Sequence, residues 1–90
     1  MIFRGDPKKA ASNLRKHHVN FHDSATVLND PLSTTFPDPE HSRGEQRFLT
    51  IGQSTGGELL VVAHTGVGET VRIISARRAT RRERRFYEED

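Results

Sequence analysis

Between Gln46 and Arg77 the sequence holds three runs of strand-forming composition, Gln46 to Gln53, Glu58 to Thr65 and Thr70 to Arg77. Ser54-Thr55-Gly56-Gly57 and Gly66-Val67-Gly68-Glu69 separate them, and glycine with small polar residues is hairpin chemistry. Connections this short leave no room for a crossover helix, so the runs predict a three-stranded antiparallel meander. Leu59 to Ala63 is apolar at every position, which makes this middle run the centre of the sheet, covered on at least one side by the amino-terminal helices.

The helices are read from the two ends of the chain. Asp6-Pro7 reads as a helix start, with aspartate accepting from free backbone N–H groups and proline at the first helical position. The helix runs to about His17, with Ala10, Ala11 and Leu14 as a narrow apolar stripe and Lys8, Lys9, Arg15 and Lys16 facing outward. Phe21, Ala25 and Leu28 give a second short helix, stopped by Asp30-Pro31. An edge strand fits near residues 32 to 36, before the polar loop 37 to 44. Thr80 with Glu83 fits a capping box, so a last helix starts at Arg81 and is polar except for Phe86 and Tyr87. The expected architecture is one α+β domain over residues 1 to 90: an antiparallel sheet, two helices before it and one after.

Ninety residues with 32% apolar content offer little material for a core. With no cysteine, disulfides, thiolate metal sites and cysteine nucleophiles are excluded, and a reducing, cytoplasmic setting is expected. No apolar run is long enough to span a membrane, and the start MIFRGDPKKAAS does not read as a secretory signal. The net charge of +2 conceals a segregation. Residues 1–18 carry +4, residues 19–71 carry −5, residues 72–85 carry +6 and the last three −3. All seven bases of the 72–85 segment are arginine, the side chain whose planar fork suits bidentate phosphate contact.

That arginine cluster, Arg72, Arg77, Arg78, Arg81, Arg82, Arg84 and Arg85, concentrates anions, and the bland alternative is a helix face kept soluble by charge. Five histidines invite a metal reading, but no HExxH spacing exists and no metal site is expected. A histidine held neutral by nearby arginines is better placed as a proton acceptor, which makes His17 and His64 candidates. The bland readings are a charge at a helix carboxyl end for His17 and a partly buried strand histidine for His64. In a regular strand Arg72 and Arg77 point to opposite faces, and the hairpin register decides whether His64 shares the face of Ser75 and Arg77 or that of Arg72. Glu45 and Arg47 are equally readable as cross-strand ion-pair members.

Taken in order, DPKKAASNLRKH with Val19 and Phe21, NDP at 29–31, GEQRFLTIG at 44–52, LLVVAHT at 59–65 and RIISARRATRRERRFYEE at 72–89 resemble the BrnT family of bacterial toxins across nearly the whole chain. The resemblance implies a RelE-like α+β fold, a metal-independent ribonuclease that arrests translation, and no cofactor. It also implies a hetero-oligomer with a BrnA-like ribbon-helix-helix antitoxin, DNA being engaged only through that partner. The family's polar pattern falls here on Lys9, Asn13, Lys16, His17, Glu45, Arg47, Arg72, Ser75, Arg77, Glu83 and Tyr87. Three departures stand out. Phe-Glu-Trp-Asp becomes Phe3-Arg4-Gly5-Asp6, Lys-His-Gly becomes Lys16-His17-His18, and the Glu-Arg often found after the central strand becomes Gly66-Val67, which puts activity in question.

On this reading RNA cleavage by 2′-hydroxyl attack needs a base, cations for the phosphorane and an acid. Arg72 and Arg77 are expected to stabilise charge, His17 or His64 to act as base, and Tyr87 to donate or position, with Lys16, Glu45 and Arg47 completing the candidate set. Arg78, Arg81, Arg82, Arg84 and Arg85 form the expected RNA track. The alternatives are a non-catalytic module that binds RNA or an acidic antitoxin segment through the arginine helix, and an interaction protein whose arginines only dock an acidic partner.

Overall fold

The computed structural model describes residues 2–66 and 69–89, Ile2 by its backbone alone. In chain order the elements are β1 (Ile2–Gly5), α1 (Pro7–His17), α2 (Phe21–Val27), β2 (Thr34–Pro37), a 3-10 turn (Pro39–His41), β3 (Arg47–Gln53), β4 (Leu59–Thr65), β5 (Thr70–Arg78) and α3 (Arg81–Glu88). They build one five-stranded sheet in the order β1-β5-β4-β3-β2. The α+β class, the central meander and the three helices are as expected, and β2 is the edge strand anticipated near 32–36. The sheet is nevertheless mixed: β1 lies parallel to β5, with Phe3 opposite Val71 and Arg4 opposite Arg72. Nothing local in IFRG announces a strand whose partner stands almost seventy residues away.

The capping reading holds in detail. Asp6 accepts from Lys8 N–H at 2.8 Å, and Thr80 and Glu83 form a reciprocal capping box at the start of α3. At the other end of α1 the absent glycine matters. His18 takes the left-handed conformation, φ 58°, and its N–H bonds the Leu14 carbonyl.

The expected apolar stripe of α1 is corrected. Leu14 is 49% exposed, Ala11 is exposed too, and the buried residue is Asn13, at 4%. Its amide donates to the carbonyls of Ala76 at 2.8 Å and Val19 at 2.9 Å, and its oxygen accepts from Ala76 N–H at 3.0 Å. β1 pairs only with residues 70–73 of β5, so Asn13 supplies the bonds a neighbouring strand would have made at Ala76. A polar side chain thereby locks α1 against the free edge of β5.

Two small cores flank the sheet. On the helical side Val19, Ala25 and Val27 pack on Leu60, Val62, Ile73 and Ala76, with Phe3 and Phe21 at the margin. On the opposite side Ile51, Leu59 and Val61 meet Leu49, Ala79 and Tyr87. The middle strand is thus covered on both faces, as its composition requires. Gly52 permits the close approach of α2, since a Cβ there would lie 2.9 Å from Val27 Cγ1. Gly5 permits the close approach of the Phe21 ring, which lies 2.7 Å from where a Cβ would sit. No helix among the described residues is long and apolar enough to cross a membrane.

Candidate active site

The register of β4 against β5 contains one irregularity. Ala63 pairs with Ser75 and the next residue, His64, pairs with Ile73, leaving Ile74 as an extra residue in β5. In a regular strand Arg72 and Arg77 would diverge. The bulge adds one residue between them, so Arg72, Ser75 and Arg77 lie opposite Thr65, Ala63 and Val61, three positions on a single face of β4. Arg47 joins them, because it too is paired with Thr65, from the β3 side. Arg4, which the sequence reading passed over, stands beside Arg72 across the parallel pair. Only knowledge of β1 could have singled it out.

Carboxylates hold two of these guanidinium groups. Arg72 donates to Glu45, and both side chains are nearly half exposed, at 45% and 47%. Such an open pair contributes at most about 1 kcal/mol, so a phosphate can displace it. Arg77 makes the tighter, bidentate contact with Glu83, at 2.7 and 2.9 Å. The Arg77 guanidinium holds the Glu83 carboxyl at about 2, and the same bond raises the arginine further above its ordinary value. Arg47 differs: its Nε is buried and has no hydrogen-bond partner among the described residues.

The clamp at Asn13 sets the other border. A cleft of about 240 Å³ between α1 and β5 is lined by Lys9, Ser12, Asn13, Lys16, His17, Ile74 and Ser75. Lys16 and His17 are thereby brought to Ser75, which lies between Arg72 and Arg77 along β5. The arrangement offers an exposed imidazole and ammonium next to a row of arginines, a geometry suited to a phosphodiester.

Three expected participants are engaged otherwise: His64 and Arg78 on the opposite face, and Tyr87 on the arginine side of the sheet but bonded to Asp30. His64 is on the opposite face, 2% exposed, bonded through Nε2 to Thr50 Oγ1 at 2.7 Å and through Nδ1 to the Gly66 carbonyl at 3.1 Å. Burial lowers its pKa, and bonds to the Gly66 and Thr65 backbone only partly offset this. Tyr87 donates to Asp30 at 2.5 Å, which with burial pushes the phenol up to about 12, a poor proton donor near neutral pH. Desolvation raises the Asp30 carboxyl, but bonds from Tyr87 and from the Gln53 and Leu32 N–H groups outweigh it and hold the pKa below its ordinary value. Arg78 is opposite Leu60, off the arginine face, and is paired with Glu58 at 3.2 Å. Arg81, Arg82, Arg84 and Arg85 are exposed on α3 as expected. Val67, half of the Gly66-Val67 departure, lies outside the described residues. Among those residues, no three histidine or acidic side chains converge as metal ligands.

A family model described as the ribonuclease toxin, BrnT, of type II toxin–antitoxin systems matches residues 6–83. The chain belongs to the BrnT family. Among solved structures, the Brucella abortus ribonuclease toxin BrnT is similar at 26% identity and a TM-score of 0.67, covering 90% of this chain and 100% of that one. No curated protein matches. The BrnT assignment agrees with the α+β fold and implies an antitoxin partner. It also places the bulged β5 and the α1 cleft within the matched segment, whereas most of α3 lies beyond it.

Proposed function

We propose that this BrnT-family chain is a metal-independent endoribonuclease whose active site is the face carrying Arg47, Arg72, Ser75 and Arg77, bordered by Lys16 and His17. The observation that carries the reading is the β5 bulge, which turns two diverging arginines onto one face beside the α1 cleft. His17 takes the proton of an RNA 2′-hydroxyl, the freed oxygen bonds the adjacent phosphorus, and the P–O5′ bond breaks. Lys16 returns a proton to the departing 5′ oxygen, leaving a 2′,3′-cyclic phosphate and a 5′-hydroxyl. Arg72, released from Glu45, and Arg77 neutralise charge on the phosphorane, and Arg47 adds positive charge to the same face. Glu45 is a counter-charge in this scheme. His64 and Tyr87 are assigned structural roles, and Arg81, Arg82, Arg84 and Arg85 track the RNA backbone. In the cell, translation is inhibited and a BrnA-like antitoxin neutralises the enzyme.

Cleavage of a labelled RNA in excess chelator, with product ends identified, tests the scheme. Arg72→Ala is expected to reduce the rate by about 100- to 1,000-fold without changing the fold. His17→Ala is expected to cost about 100- to 10,000-fold. A folded Arg72→Ala protein as active as the parent removes the central claim. A second reading, a non-catalytic binder, is favoured by the occupation of both Arg72 and Arg77 by carboxylates; salt-sensitive RNA binding without cleavage would establish it.

A further inference from the structure

In a chain with so little apolar material, three large apolar side chains are left in water along the seam between β2 and α3. Leu32 is 69% exposed, Phe86 49% and Phe36 36%. Phe36 and Phe86 are in contact, and Leu32 is tied to the same helix only through its backbone and Asp30. The Phe36 and Phe86 rings lie 5.4 Å apart, and the Asp30 carboxylate that receives the Tyr87 hydroxyl also receives Leu32 N–H, at 2.9 Å. β2 ends the sheet, so no further strand covers this edge.

The exposed charge on the α3 side of the patch is mainly positive, whereas the Asp30 carboxylate lies at its Leu32 end. Arg82 sits one helical turn before Phe86 on the same side of α3, and Arg85 and Arg81 continue round the solvent side. Among the described residues neither Arg81, Arg82 nor Arg85 has a carboxylate within 4.0 Å, while Glu83, the acid of the first turn, faces inward to Arg77. Glu89, one turn after Phe86, and Asp30, which already accepts from Tyr87, Leu32 and Gln53, are the opposing charges here. Exposed apolar side chains rimmed by unpaired cations match a ligand of the opposite pattern, apolar in the middle and acidic at the rim.

We propose that the Leu32–Phe36–Phe86 patch and the arginines beside it are the docking surface for an acidic amphipathic segment of the antitoxin. This deepens the toxin reading and rests on the antitoxin partner that family membership implies. The segment seats its apolar side chains on Phe36, Phe86 and Leu32 and sets its carboxylates against Arg82 and Arg85. Because those arginines also belong to the proposed RNA track, docking there competes with RNA. A base-stacking platform fits less well: the two rings pack on each other at 55°, without a parallel slot, and Leu32 is aliphatic.

The test is fluorescence anisotropy with the full chain and a labelled peptide of about 18 residues, five helical turns, with leucines on one face and glutamates elsewhere. A scrambled peptide of equal composition and an oligouridine serve as the other probes. The expected result is binding of the patterned peptide, about tenfold or more weaker after Phe36→Ser with Phe86→Ser and after Leu32→Ser alone, with oligouridine binding unchanged. Equal binding of the scrambled peptide, or patterned-peptide binding indifferent to these substitutions, overturns the proposal. A parallel loss of oligouridine binding overturns it in favour of an RNA platform. Circular dichroism melts confirm that the variants fold, and the highly exposed Leu32→Ser keeps the test valid if the double variant does not. Growth arrest on expression reads the toxin assignment separately, since peptide binding does not require cleavage.

Discussion

His18 holds a left-handed backbone that glycine adopts at no steric cost, and an L side chain there is disfavoured by about 1 kcal/mol or more. Its side chain is exposed, so little packing compensates. His18→Gly is therefore expected to stabilise the fold by about 1 kcal/mol, a rise of roughly 4–8 °C in Tm for a domain of this size, measured by thermal denaturation. Asn13 works in the other direction. Asn13→Ala leaves the buried backbone groups at Ala76 and Val19 without partners, and about 3 kcal/mol of destabilisation is expected from denaturant titration. Polarity hid this residue. Pattern reasoning places apolar residues inside, which assigns the buried side of α1 to Ala10, Ala11 and Leu14.

Among the elements, α3 shows how local and tertiary contributions combine. Its start was legible, because a capping box depends on two residues three apart. Its docking was not, because Tyr87 is held by Asp30, a residue from another part of the chain. The Arg77–Glu83 pair joins the end of β5 to α3 and makes that junction pH-dependent. The Glu83 carboxyl titrates near 4.5 when unperturbed and at about 2 in the fold. Its contribution is therefore complete above about 4.5 and disappears as the pH falls through 2, since the unfolded chain binds the proton more readily across that window. Stability measured by chemical denaturation is expected to decline over that interval. In Glu83→Gln, this part of the decline is expected to vanish while the rest of the acid titration remains.

For the whole molecule, the predicted consequence of the charge segregation is a salt-dependent interaction with RNA. If each arginine of α3 contacts one phosphate, removing it lowers the slope of log affinity against log salt by about 0.7, the value for single strands. Successive alanine substitutions at Arg81, Arg82, Arg84 and Arg85 are expected to flatten that slope stepwise, whereas Arg78→Ala, whose side chain is paired with Glu58 off the arginine face, leaves it nearly unchanged. The meander, the helix ends and the arginine-rich segment follow from the sequence alone, because turn chemistry, capping and charge run depend on residues close together in the chain. The parallel β1 strand, the burial of Asn13 and the gathering of Arg47, Arg72 and Arg77 onto one face were decided only by the tertiary structure, which also chose the buried reading of His64 over the catalytic one. Each depends on how distant segments pair, and a single unpaired residue, Ile74, reverses the alternation that a regular strand would impose.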